Sequence, residues 1–196
     1  TGMKRIFINL LYSILIINSA NSFAQEWTLL SPEPTYQDIK SVSFPSIDTG
    51  FIVTTDAKVM RTPDGGESWD ELNLPFGASY VEFINNNHGY IASSDKVYST
   101  DDGGETWQPH LVEPFASCWE TYFYNDTTGF TFGWDGYMAK TTDGGITWER
   151  KQSYSGSGTF YYTEIEFADL NTGYAVGQSD HTSRVLRRSD DGGNSW

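Results

Sequence analysis

From residue 39 onward, apolar and polar positions alternate in short runs, split by clusters of Gly, Asn and Asp. First runs occupy 39–44, 80–84, 120–124 and 162–167, and contain Phe44, Phe83, Phe123 and Phe167. Six residues after each Phe comes a Gly-aromatic pair: Gly50-Phe51, Gly89-Tyr90, Gly129-Phe130 and Gly173-Tyr174. Second runs follow at 51–54, 90–92, 130–132 and 174–176, and third runs at 58–62, 96–100, 137–141 and 184–189. Alternation rich in Val, Ile, Phe and Tyr predicts β-strands, and no helical period appears in this region.

After each third run the chain repeats one phrase, Ser/Thr-x-Asp-Gly-Gly-x-Ser/Thr-Trp. The copies carry Asp64 and Trp69, Asp102 and Trp107, Asp143 and Trp148, Asp191 and Trp196. A fourth strand is expected to start at each Trp. A phrase recurring about every 40 residues marks a repeat architecture. Four antiparallel strands per repeat make one blade of a β-propeller, stable only when its faces pack on neighbouring blades. The expected fold class is therefore all-β, with four-stranded blades at about 35–75, 76–115, 116–155 and 156–196. Residues 26–33, which contain Trp27, match the stretch around the other tryptophans and read as a ring-closing outer strand. Trp27 and Trp196 then claim the same slot, so the four blades are expected to be the N-terminal part of a larger ring.

The N-terminus has a different pattern. Lys4 and Arg5 precede an apolar run over 6–17 that is broken by Asn9 and Ser13, and Ser22-Phe23-Ala24 supplies small residues at a cleavage site. Residues 1–24 read as a signal peptide, with Thr1-Gly2 extraneous ahead of Met3. This predicts export, to the periplasm, the cell surface or the medium, with no membrane insertion of the mature chain. Removing two bases and no acid takes the net charge from −14 to −16. Such a surface repels nucleic acid and anionic lipid. At 16% aromatic residues the chain is too rich in core formers to be disordered. Its one cysteine, Cys118, excludes an internal disulfide and reads as a small buried hydrophobe.

The repeated phrase fits a tight turn between third and fourth strands. The Asp carboxylate accepts backbone N–H bonds, the glycines permit positive φ, and the Trp packs beneath. Calcium needs six to eight oxygens and no such ladder of ligands is present. Catalysis needs convergence, whereas a group repeated in every blade is spread around a rim. Neither a metal nor another cofactor is expected.

The phrase, with its Phe and Gly-aromatic landmarks, resembles the Asp box or bacterial neuraminidase repeat of sialidases, sortilin-type receptors and certain glycoside hydrolases. Over 27–196 the chain is similar to propellers of the photosystem II assembly and stability factor family and their secreted bacterial relatives. The resemblance implies a propeller whose Asp boxes are structural and lie away from the ligand face. The photosystem factors are understood to meet a membrane-protein partner through an arginine-rich face, which this acidic chain lacks.

Function is then expected on the face opposite the Asp phrases, where second and third strands connect. The candidates there are Trp134 and Asp135 in Gly133-Trp134-Asp135-Gly136, Tyr154 in a Gly/Ser segment, and Asp180-His181 in the longest such loop, 177–183. Trp134 sits between glycines at a loop tip, suited to stacking on a sugar or partner side chain, or to packing on the next blade. The expected role is a secreted scaffold binding a protein or glycan. The alternative is a glycoside hydrolase, sialidase or xyloglucanase-like, with part of its site in further blades. No carboxylate pair or arginine cluster stands out in the sequence to favour it.

Overall fold

The computed structural model describes residues 35–112, 118–152, 160–179 and 183–196, all within one unit, Pro32–Trp196. The leader 1–24, the strand 26–33, Tyr154, Asp180 and His181 lie outside the described residues.

The alternating runs form four antiparallel sheets in chain order. The first is β1 (Ile39–Ser43), β2 (Gly50–Thr54), β3 (Val59–Thr62) and β4 (Asp70–Glu71). The second is β5 (Tyr80–Phe83), β6 (Gly89–Ser93), β7 (Lys96–Thr100) and β8 (Gln108–Leu111). The third is β9 (Cys118–Phe123), β10 (Gly129–Gly133), β11 (Met138–Thr141) and β12 (Glu149–Gln152). The fourth is β13 (Phe160–Phe167), β14 (Gly173–Ser179) and β15 (Ser183–Ser189). Each is a simple meander of neighbouring strands.

Two details differ from the sequence reading. Fourth strands begin one residue after the Trp, because the indole is held back under its turn. The connection expected over 177–183 is shorter: Gly177 pairs with Val185 and Gln178 with Arg184, so β14 and β15 extend the hairpin.

The core lies between sheets. Phe51, Val53 and Val59 of the first sheet pack on Ala78, Val81 and Ile91 of the second. Tyr90, Ala92 and Val97 meet Cys118, Phe123 and Ala139. Phe130, Phe132 and Met138 meet Phe160, Ile165 and Phe167. At each interface the aromatic after the landmark Gly stacks on the next landmark Phe: Phe51 on Phe83 at 4.3 Å, Tyr90 on Phe123 at 3.7 Å, and Phe130 on Phe167 at 5.0 Å. The same Phe meets the Trp of its own Asp turn edge-on, as Phe83 does Trp107 at 6.0 Å. The fixed Phe-to-Gly spacing has a steric cause. The landmark ring lies over the glycine, and a Cβ on Gly89 would come within 2.6 Å of Phe83. Cys118 is fully buried, and burial pushes its thiol up to about 12.

Hydrogen bonds clasp the same interfaces. The residue before each landmark Phe accepts the backbone N–H of the next one. Ser43 Oγ takes Phe83 N (2.9 Å), Glu82 Oε1 takes Phe123 N (3.3 Å) and Tyr122 OH takes Phe167 N (3.3 Å). On the fourth sheet the equivalents of these packing positions are open. Tyr174, Val176 and Leu186 are 40%, 40% and 70% exposed, and Val176 and Leu186 help line a groove of about 390 Å³.

Candidate binding face

The strands present two rims. On one, each Asp turn docks against the turn joining the first two strands of its sheet. Gly65 donates to Asp48 O (2.6 Å), Gly103 to Asn87 O (2.9 Å), Gly144 to Thr127 O (2.9 Å) and Gly192 to Asn171 O (2.8 Å). The turns share one network. Asp102 Oδ1 accepts Thr106 N (2.9 Å) and Thr100 Oγ1 (2.8 Å), while Oδ2 accepts Thr106 Oγ1 (2.6 Å). Thr100 Oγ1 also accepts Gly104 N (2.9 Å), and Trp107 Nε1 donates to Gly104 O (3.2 Å). Gly103 and Gly104 hold φ of 72° and 86°, where a Cβ is disfavoured. Asp64, Asp143 and Asp191 repeat the pattern with Ser68, Thr147 and Ser195, and the indoles of Trp69 and Trp148 likewise bond Gly66 O and Gly145 O. Trp196 stands edge-on to Phe167 at 5.8 Å.

These bonds favour the ionised carboxyl. The Thr106 hydroxyl and N–H draw Asp102 down to about 2, and Ser195 does the same for Asp191. Ser68 holds Asp64 below its usual range. Burial pushes Asp143 up, but Thr147 and Thr141 outweigh it and the net shift is downward. Both carboxylate oxygens of Asp64, Asp102, Asp143 and Asp191 are engaged within their own turns. Among the described residues no group of three or more His, Cys, Asp or Glu is placed to hold a metal.

The other rim carries the second-to-third strand turns and the starts of the inner strands. Here the sheets are joined by backbone bonds: Ala78 N to Ala57 O (2.9 Å), Cys118 N to Ser94 O (2.6 Å) and Gly136 N to Phe160 O (2.7 Å). Trp134 opens a tight hairpin turn in which Tyr137 N donates to Trp134 O (2.9 Å). Asp135 and Gly136 between them have φ of 55° and 62°, the Asp-Gly pattern of a type I′ turn. Asp135 is exposed at that tip.

Trp134 is 37% exposed and stands in an aromatic cluster that the sequence did not reveal. Its ring meets Trp119 at 4.5 Å, nearly perpendicular, and Tyr161 of the next sheet at 5.1 Å. Trp119 and Tyr161 are themselves 5.5 Å apart. So the indole both packs on the next sheet and keeps an open edge. Trp119 reaches this position through a bulge, because Glu120 pairs with Phe132 but Cys118 pairs with Gly133, leaving Trp119 as the extra residue. Tyr161 is steadied by Gln178, whose amide donates to its hydroxyl.

Acids follow directly along the inner strands. Glu120 succeeds Trp119 on β9, and Glu164 lies three residues beyond Tyr161 on β13. Burial, then the charge of Glu164, pushes Glu120 up to about 7. Glu82 on β5 is also pushed up to about 7, chiefly by burial. Both of its oxygens are occupied, Oε1 by Phe123 N and Oε2 by Thr121 Oγ1 (3.1 Å). Tyr80 rises to about 12 through burial and the charges of Glu82, Glu120 and Glu164.

The sequence model described as photosynthesis system II assembly factor YCF48 matches residues 19–108 and 114–196. The chain belongs to the YCF48 family. Among solved structures it is similar to YCF48 bound to a D1 peptide, at 19% identity and a TM-score of 0.56 over 80% of this chain and 56% of that one. It is also similar to YCF48 from Cyanidioschyzon merolae, at 18% identity and a TM-score of 0.58 over 80% and 57%. The GH74 xyloglucanase from Xanthomonas campestris shares 18% identity and a TM-score of 0.60 over 76% of this chain and 28% of that enzyme. The chain thus spans just over half the length of the YCF48 structures. These likenesses show the propeller fold. No curated protein matches the sequence.

In this YCF48-family chain, Trp134 and Asp135 fall on the rim opposite the Asp turns, while Tyr154, Asp180 and His181 lie outside the described residues. Trp119, Tyr161, Glu82 and Glu120 were missed from sequence. The only sequence signal for Glu82 is its slot before a landmark Phe. That slot is filled by Ser43, Glu82 and Tyr122 in successive sheets, so no shared residue type marks it.

Proposed function

We propose that this chain is an exported propeller scaffold that binds a protein or glycan partner on the rim opposite its Asp turns. The observation that carries the reading is the half-open cluster of Trp119, Trp134 and Tyr161, built from two sheets and presented at the rim. A bulge and an Asp-Gly turn hold these rings in place, and rigid aromatic groups contribute contact area at low entropic cost. Asp64, Asp102, Asp143 and Asp191, by contrast, spend both carboxylate oxygens within their own turns. A protein partner has further support from a family relative, a YCF48 bound to a D1 peptide. Export rests on the N-terminal pattern of residues 1–24.

The glycoside hydrolase reading draws on the GH74 fold likeness and on two carboxyls raised to about 7. Glu82 is a poor general acid, however, since both its oxygens are engaged at a sheet interface. The binding reading is tested by probing peptide and glycan arrays with the purified chain and with Trp134→Ala. Loss of the selected ligands in the variant supports it. Ligands retained at full strength by Trp134→Ala overturn it.

A further inference from the structure

We infer that the partner on this rim is a basic protein segment, whose Lys or Arg side chains settle on Trp134 and Trp119 and face Glu120 and Glu164. The inference rests on the binding reading above and names the chemistry of the ligand. Three observations lead to it.

The platform is aromatic and only partly covered, with Trp134 37% exposed. Trp presents the best π face for a cation, and guanidinium groups stack on it readily. Both strands that contribute to the platform also carry carboxylates, Glu120 one residue after Trp119 and Glu164 three residues after Tyr161. The charge of Glu164 acts on Glu120, and both act on Tyr80, so these acids lie near one another along the inner strands. A cation brought there relieves that repulsion.

Five of the chain's cations are already engaged by its own groups. The pair Lys58–Glu71 lies within the first sheet, Arg61–Glu105 and Arg188–Asp190 at Asp turns, and Lys151–Glu149 on an outer strand. Lys140 donates to Gly192 O at 2.7 Å, on the Asp-turn rim. With a net charge of −14, the whole molecule attracts basic segments, and the aromatic platform supplies the place where one docks.

The test is fluorescence polarisation with labelled decapeptides alternating Lys or Arg with Gly and Ser, alongside versions carrying Ala or Glu in place of the bases and a neutral tetrasaccharide. The basic peptides bind, and added salt weakens them. Glu120→Gln, Glu164→Gln and Trp134→Ala each lower affinity by about fivefold or more. Glu67→Gln, which removes equal charge from the Asp-turn rim, leaves affinity unchanged. Failure of the basic peptides to bind overturns the inference. So does equal loss in Glu67→Gln, which reports attraction to the whole acidic surface. A neutral ligand lost with Trp134→Ala but indifferent to Glu120→Gln overturns the basic chemistry and leaves the binding reading standing. Basic-peptide binding indifferent to Trp134→Ala overturns both.

Discussion

Phe123 donates its backbone N–H to Oε1 of Glu82 across the interface between the second and third sheets, at 3.3 Å. The same slot holds Ser43 for Phe83 and Tyr122 for Phe167, so one bond recurs with three different acceptors. Only at the middle interface does the acceptor titrate near neutral pH.

That difference gives a pH dependence. The carboxyl of Glu82 rises from 4.5 to about 7 in the folded state, mainly through burial. The folded chain therefore holds a proton that the unfolded chain has released, and stability falls as pH rises from about 4.5 to about 7. Glu120 acts in the same direction over the same window. Thermal melts of Glu82→Gln, which keeps an acceptor oxygen without the charge, are expected to show a flatter profile than wild type. An unchanged slope would exclude Glu82 as its source.

The Asp turns behave in the opposite sense. Asp102 falls from 3.8 to about 2 because Thr106 and Thr100 donate to its ionised form. Its contribution is present above the unfolded value and is lost as pH falls through the folded one. Asp102→Ala is expected to lower the urea midpoint at pH 7 and to lessen the loss of stability between pH 4 and pH 2. Asp102→Asn should fall between the two, retaining one acceptor oxygen.

Position within the stack grades the landmark phenylalanines. Phe83 is held between Phe51 at 4.3 Å and Trp107 at 6.0 Å. Phe44 meets Trp69 at 6.1 Å and is 45% exposed. Phe83→Ala, a partly buried ring stacked on the first sheet, should cost about 3 kcal/mol, and Phe44→Ala about 1 kcal/mol. Equal costs, measured by chemical denaturation, would show that stacking on the preceding sheet contributes little.

Much of this was legible in the sequence because it is local. The Asp phrase specifies a turn through its own side chains, and the Phe-to-Gly spacing reports a ring lying on a glycine in the same sheet. What escaped depends on neighbours. Trp119 looks like an ordinary strand residue, and only the bulge opposite Phe132 and Gly133 aims it at Trp134. Glu82 reads as a solvent-facing acid until the third sheet is packed against it. Gly177 resembled loop because a strand glycine and a turn glycine look alike; here Phe160 and the Tyr161 carbonyl crowd it, and a Cβ would come within 2.4 Å of that oxygen.

The open positions on the fourth sheet give a further expectation. Leu186 occupies the slot of Val59, Val97 and Met138, yet is 70% exposed where those are buried. In the chain as given, Leu186→Ser should change stability by no more than about 0.5 kcal/mol, while Val97→Ser should cost about 2 kcal/mol or more. A large loss from Leu186→Ser, measured by urea denaturation, would mean that this face is covered.

The central claim is a division of labour between the two rims, and one paired measurement tests it. Binding of an array-selected peptide or glycan is compared in Trp134→Ala and Asp102→Asn, with each variant's melting temperature recorded on the same sample. The account predicts that Trp134→Ala stays folded and loses the ligand, whereas Asp102→Asn melts lower but binds at full strength below its transition. Binding lost in Asp102→Asn and kept in Trp134→Ala would contradict it.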